Sequence, residues 1–206
     1  SGAAGGLVTR QKKYRMRSLV MERGDMRSFQ WTPDVYAAFV AVVNGTSVHA
    51  ARRIPRGTKP VPGPGETLLV FRVHLSEESP WYNGATYLDT MNHEAVGEFI
   101  RVTHEAYRRR FHREFGRSIP GIFTDEPNHG SRFNGDWVAA GMVSAPWTDR
   151  MPAVFRKRYG YDIRECLPSI FLDADDVRAL RARYDYHECV TFLFVDAFGR
   201  QIGEWC

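Results

Sequence analysis

Apolar residues run in short continuous blocks through the first third of the chain, then recur at three- and four-residue steps after about residue 90. Ala37-Ala38-Phe39-Val40-Ala41-Val42-Val43 predicts a strand, closed by the turn pair Asn44-Gly45, with Ser47-Val48-His49-Ala50 returning beside it. Residues 54–65 hold four prolines and three glycines and predict a loop. Thr67 to Leu75 is the next strand. The stretch from about Phe39 to Leu75 reads as a β-hairpin excursion or edge that merges into a barrel strand.

The period then changes. Asn92 suits a helix cap, Glu94 its first turn and Gly116 its end. Val96, Phe99, Ile100, Thr103, Tyr107, Phe111 and Phe115 form a stripe that would lie on a sheet. The apolar run from Ile119 to Phe123 follows at once and reads as a buried parallel strand, stopped by Pro127, which has no N–H to donate. Strand, helix and strand in this order predict a right-handed βαβ unit. Gly130 to Ser144 reads as a loop. A helix capped by Thr148 should carry Pro152 in its first turns and end at Gly160, and a short one near 163–171 should be broken by Pro168. Ala174 to Cys206 reads as one long helix, with Val177, Leu180, Tyr184, Cys189, Phe192, Phe198, Ile202 and Trp205 facing inward. The fold class expected is therefore α/β: a partial (β/α)8 TIM-barrel-like domain with an N-terminal β-hairpin excursion. A complete barrel needs about 250 residues, and this chain has 206. It reads as a fragment of a larger barrel, continued by further domains of the same parent chain.

Composition narrows the class. An apolar content of 43% with 13% aromatics suits a globular core. No apolar run approaches the roughly 18 residues of a membrane span, so no membrane partner is expected. The opening Ser1 to Gly6 lacks the features of a signal peptide and reads as a tag remnant or tail, leaving 7–206 as a single domain. Cys166, Cys189 and Cys206 have neither metal-ligand spacing nor a disulfide pattern, which fits a reducing compartment slightly better. The net charge of +4 comes with basic runs such as Arg108-Arg109-Arg110. That triplet falls on the polar side of a helix, and without a recognised binding signature it predicts no nucleic-acid partner.

Two clusters carry candidate chemistry. Asp125 and Glu126 stand at the C-terminal end of the expected strand, where reacting groups of a β/α barrel collect. A glycosidase needs one protonated carboxyl beside the leaving oxygen and a second carboxylate to activate water or attack carbon. Ionised Asp125 beside Glu126 would raise the pKa of Glu126, as a general acid requires. The pair could equally cap the next turn or meet arginines. The second cluster, Glu77 to Asp89, offers flat faces on Trp81, Tyr82 and Tyr87 for sugar stacking, and oxygen donors on Asn83 and Asp89 for hydroxyls or a hard cation. Trp81 and Tyr87 could instead plug the barrel top, and Asp89 pre-cap the helix at Asn92. Asn128, His129, Trp137 and Trp147 follow Glu126 and could line a pocket; Trp147 could also staple the helix behind it. The histidines form no zinc set, and there is no phosphate-binding or serine-nucleophile motif.

Taken together, Trp81-Tyr82-Asn83-Gly84, Tyr87-Leu88-Asp89-Thr90-Met91-Asn92, Gly121-Ile122-Phe123-Thr124-Asp125-Glu126-Pro127, Pro146-Trp147-Thr148, Tyr159-Gly160-Tyr161-Asp162 and Ile202-Gly203-Glu204-Trp205-Cys206 resemble bacterial glycoside hydrolases of the α-L-rhamnosidase-like type. The resemblance covers about Trp81 to Cys206. It implies a barrel catalytic domain of a large enzyme that degrades polysaccharides, by inverting, calcium-assisted chemistry. Glu126 carries over as the catalytic acid, with Asp125 and Asp89 as orienting or ligating positions. The chain departs from the related β-galactosidase clan in having Asp125, not Asn, before the acid. The partner carboxylate would lie beyond this chain, leaving the isolated segment inactive or nearly so. A non-catalytic carbohydrate-binding module is the alternative.

Overall fold

The computed structural model describes residues 6–124, 127–130 and 142–206, with the side chain of Met142 also outside the description. The chain forms two compact units. One comprises Ser18–His74 and Gly130–Thr191; the other comprises Ser1–Arg17, Leu75–His129 and Phe192–Cys206.

The sheet unit contains β1 (Arg17–Gly24), β2 (Val35–Asn44), β3 (Ser47–Arg53), β4 (Glu66–Leu75) and β5 (Met142–Trp147), in the order β3-β2-β4-β1-β5. The sheet is antiparallel, which overturns the expected TIM barrel of parallel strands. Local chemistry explains the hairpin. Gly45 adopts φ 59°, which suits glycine, so β2 turns back within two residues and Asn44 pairs with Ser47. A connection that short permits only antiparallel pairing. β2 lies between β3 and β4, and its register slips by a residue at Val42/Val43 and again at Val35/Ala37.

The continuous apolar runs have another origin than a parallel sheet. One face of β2 and β4 packs Val35, Ala38, Val40, Leu68 and Val70 with Ile54 under Met26, Phe29 and Trp31. On the other face, Phe39 meets Phe71 edge-on at 5.6 Å, and Phe71 meets Phe171 at 5.3 Å. Both faces are covered, so both must be apolar. Among the described residues, the α-helices of this unit are α3 (Met151–Tyr159), α4 (Leu167–Phe171) and most of α5 (Val177–Phe194). Pro152 sits in the first turn of α3, and Gly160, at φ 83°, closes it. Pro168 opens α4 rather than breaking a helix, because the first turn needs no N–H from it.

The second unit is built on α1 (His93–Val102) and α2 (His104–Phe111). Asn92 accepts the Glu94 and Ala95 N–H groups and starts α1 as expected. Val96 and Phe99 of α1 join Val8, Tyr14, Leu88, Ala197 and Phe198 in one core. Ala197 and Phe198 belong to the π-helical stretch Val195–Arg200 that carries α5 into α6 (Gln201–Trp205). The expected stripe fades beyond α1: Tyr107 and Phe111 are exposed.

The parallel strand at 119–123 is absent. Ile119 makes one isolated bridge with Phe115, and residues 120–124 have no regular structure. Phe123 is 87% exposed, so the run is not a buried one, and no βαβ unit forms around it. On α5 the buried apolar positions are Ala179, Ala182, Tyr186, Cys189, Val190 and Leu193, whereas Val177, Leu180 and Tyr184 are exposed.

Candidate functional site

The residues of the second cluster are organised by a tight loop. Ser79 Oγ accepts the Trp81 N–H at 3.2 Å, and the Ser79 carbonyl accepts those of Tyr82 and Gly84 at 2.9 and 3.0 Å. The Ser79 N–H in turn donates to the Ala85 carbonyl at 2.9 Å. Asn83 reverses the chain at φ 55°, a left-handed conformation that asparagine tolerates better than most residues. Trp81 stands on this rigid turn with 86% of its surface exposed. Tyr82 lies beside Tyr87, their ring centroids 5.6 Å apart.

Tyr87 is 9% exposed and works through its hydroxyl, which accepts the Asn128 N–H at 3.2 Å. The Thr90 hydroxyl donates to the Asn128 carbonyl at 2.6 Å. Both backbone groups of Asn128 are thereby held by the loop. The N-terminal segment secures the loop from behind, since Met16 N–H donates to the Tyr87 carbonyl and Asp89 N–H to the Tyr14 carbonyl.

Asp89 is 1% exposed. Its Oδ1 accepts the Met91 N–H at 3.1 Å and its Oδ2 lies 4.0 Å from Arg17. A carboxylate so engaged, with a guanidinium alongside, does not suit a divalent cation. No cluster of three or more His, Cys, Asp or Glu that could hold a metal occurs among the described residues. The described donors therefore do not fit the calcium that the resemblance implies.

Asp125, Glu126 and Trp137 lie outside the described residues. Trp147 belongs to the sheet unit, where it is 2% exposed and packs edge-on against Tyr36 at 4.8 Å. An enclosed indole offers no face to a sugar ring. His129 meets Phe194 at 5.4 Å. The structure thus brings Trp81, Tyr82, Asn83, Tyr87, Asp89 and Asn128 into one unit, with Trp81 alone presenting a fully open ring. The roles of Thr90 and Ser79 escaped the sequence reading, although Ser-Pro before an aromatic pair is a turn signal.

Comparisons with protein-family models, curated proteins and solved structures gave no match to this chain.

Proposed function

We propose that the Ser79–Asn92 turn binds carbohydrate as part of a glycoside hydrolase, with Glu126 as the acid that protonates the leaving oxygen. The observation that carries the reading is Trp81, an indole held out on a hydrogen-bonded turn at 86% exposure. An open aromatic face is suited to the apolar side of a sugar. Asn128 adds a second support. It stands two residues after Glu126 in the sequence. With one carboxyl donating its proton, a second carboxylate is needed to activate water. Asp125 raises the proton affinity of Glu126 when both are close.

Binding and turnover separate the parts of this reading. If a sugar covers roughly 60 Å² of the indole, Trp81→Ala loses about 1.5 kcal/mol, roughly tenfold in Kd. Titration calorimetry with oligosaccharides measures it. Unchanged affinity in Trp81→Ala removes the stacking role. In the protein that carries this chain, Glu126→Gln should abolish hydrolysis of aryl glycosides while sugar binding persists. Full turnover in that variant would remove Glu126 from the reaction and leave this chain with sugar binding alone.

A further inference from the structure

The loop after α2 encloses a cavity of about 330 Å³ in the second unit, and this cavity shares no residue with the Trp81 turn. Its wall is mostly apolar: Phe115, Ile119, Pro120, Ile202 and Trp205 contribute beside Thr124 and Cys206, and among the described residues no Asp, Glu, Lys or Arg side chain lines it. The rings of Phe115 and Trp205 meet edge-on with centroids 6.1 Å apart. A volume near 330 Å³ sits at the lower end of small-molecule pockets, enough for one substituted ring.

One polar group stands out in this wall. His104 is 4% exposed and lines the cavity, yet its Nδ1 is buried without a hydrogen-bond partner. Phe99 and Trp205 flank the imidazole edge-on at 5.0 Å each, contacts that hold the ring but satisfy neither nitrogen. The neighbouring donor and acceptor are already used by each other, since the Trp205 indole N–H donates to Glu105 at 2.8 Å. Buried polar atoms normally find a partner; Nδ1 has none, and the imidazole that carries it forms part of the cavity wall. Burial also lowers the pKa of His104, which keeps the imidazole neutral near pH 7. A neutral imidazole has one donor and one acceptor nitrogen, and a hydroxyl can answer either. An ionised ligand would lose its hydration against this wall and gain no counter-charge.

We propose that this cavity binds a small neutral phenol, its ring against Phe115 and Trp205 and its hydroxyl hydrogen-bonded to the His104 imidazole. The site stands independently of carbohydrate binding, and either can fail without the other.

The test uses the full chain, titrated by calorimetry and NMR with phenol and with toluene, which has the ring but no hydroxyl. Phenol should bind about tenfold more tightly than toluene, a difference of about 1.4 kcal/mol. His104→Phe should keep toluene binding and erase that preference, and Ile202→Trp should fill the space and abolish both. Thermal unfolding of each variant checks that it is folded. Should either fail to fold, the phenol-to-toluene ratio on the unmodified protein and a phenol-induced shift of the His104 imidazole nitrogens carry the test. Equal affinity for both compounds, no binding of either at about 10 mM, or phenol binding untouched by Ile202→Trp would overturn the proposal.

Discussion

His104 sits between Phe99 and Trp205, and its neutral form is the one that this enclosure favours. Its folded pKa is lowered from 6.5 by burial, so below about pH 6.5 the unfolded chain takes up a proton that the folded chain refuses. The contribution to stability is therefore present above the unfolded pKa and is lost as pH falls through the folded one. Denaturant unfolding followed downward from about pH 7.5 should show this decline, and His104→Phe should flatten it. An identical slope in both proteins would assign the decline to other groups. Asp185 is a second residue with a large local consequence. It is 1% exposed, accepts the Tyr161 hydroxyl at 2.9 Å, and accepts the Arg181 guanidinium at 2.8 Å. Burial, together with the hydrogen bond to Asp185, pushes the Tyr161 hydroxyl well above its usual pKa. Asp185→Ala strands that hydroxyl and should cost about 3 kcal/mol, read as a fall in the urea midpoint. A loss below about 1 kcal/mol would place the pair in solvent-screened territory.

Among elements, those with a local stop or start signal were legible. Asn92 starts α1, Gly160 ends α3 and Gly45 turns the β2–β3 hairpin, each through hydrogen bonds or dihedral angles set within a few residues. Gly160→Ala would force a Cβ into a left-handed conformation at φ 83° and should destabilise by about 1 kcal/mol; calorimetric melting would register it. β1 was not legible, because only Leu19, Val20 and Met21 are buried between charged ends. The first three residues of β5 fell inside the expected loop. The long helix was found, but its inward face was misjudged in the first half. Large side chains such as Leu180 and Tyr184 suggested the core face, whereas small residues, Ala179 and Ala182, occupy it. Small residues allow close approach, which hydrophobicity alone does not reveal.

For the molecule as a whole, the expected barrel required Ile119 to Phe123 to be a buried parallel strand that completes the βαβ unit. Amide exchange distinguishes the two architectures. β2, paired on both sides, should exchange slowly, and residues 121–124 should exchange at nearly free rates. Protection of 121–124 equal to that of β2 would restore a strand there. Loss of the barrel removes the strand-end argument for Glu126 but leaves the candidate turn intact. That turn depends on Ser79, Asn83 and Ala85, which are close in sequence, so its position could be read early. Its link to Asn128 could not, because Tyr87 and Asn128 are 41 residues apart.

The amino-acid sequence by itself determined the turn at Gly45, the caps at Asn92 and Gly160, the proline-rich loop at 54–65 and the exposed-turn chemistry around Trp81. Each depends on dihedral limits or hydrogen bonds within one or two turns of chain. Tertiary structure alone decided that β2 and β4 pair antiparallel with both faces covered, that Phe123 faces water, and that His104 lines a cavity. An apolar run carries no record of which distant surface will cover it, and that depends on segments up to a hundred residues away, as Glu105 and Trp205 illustrate.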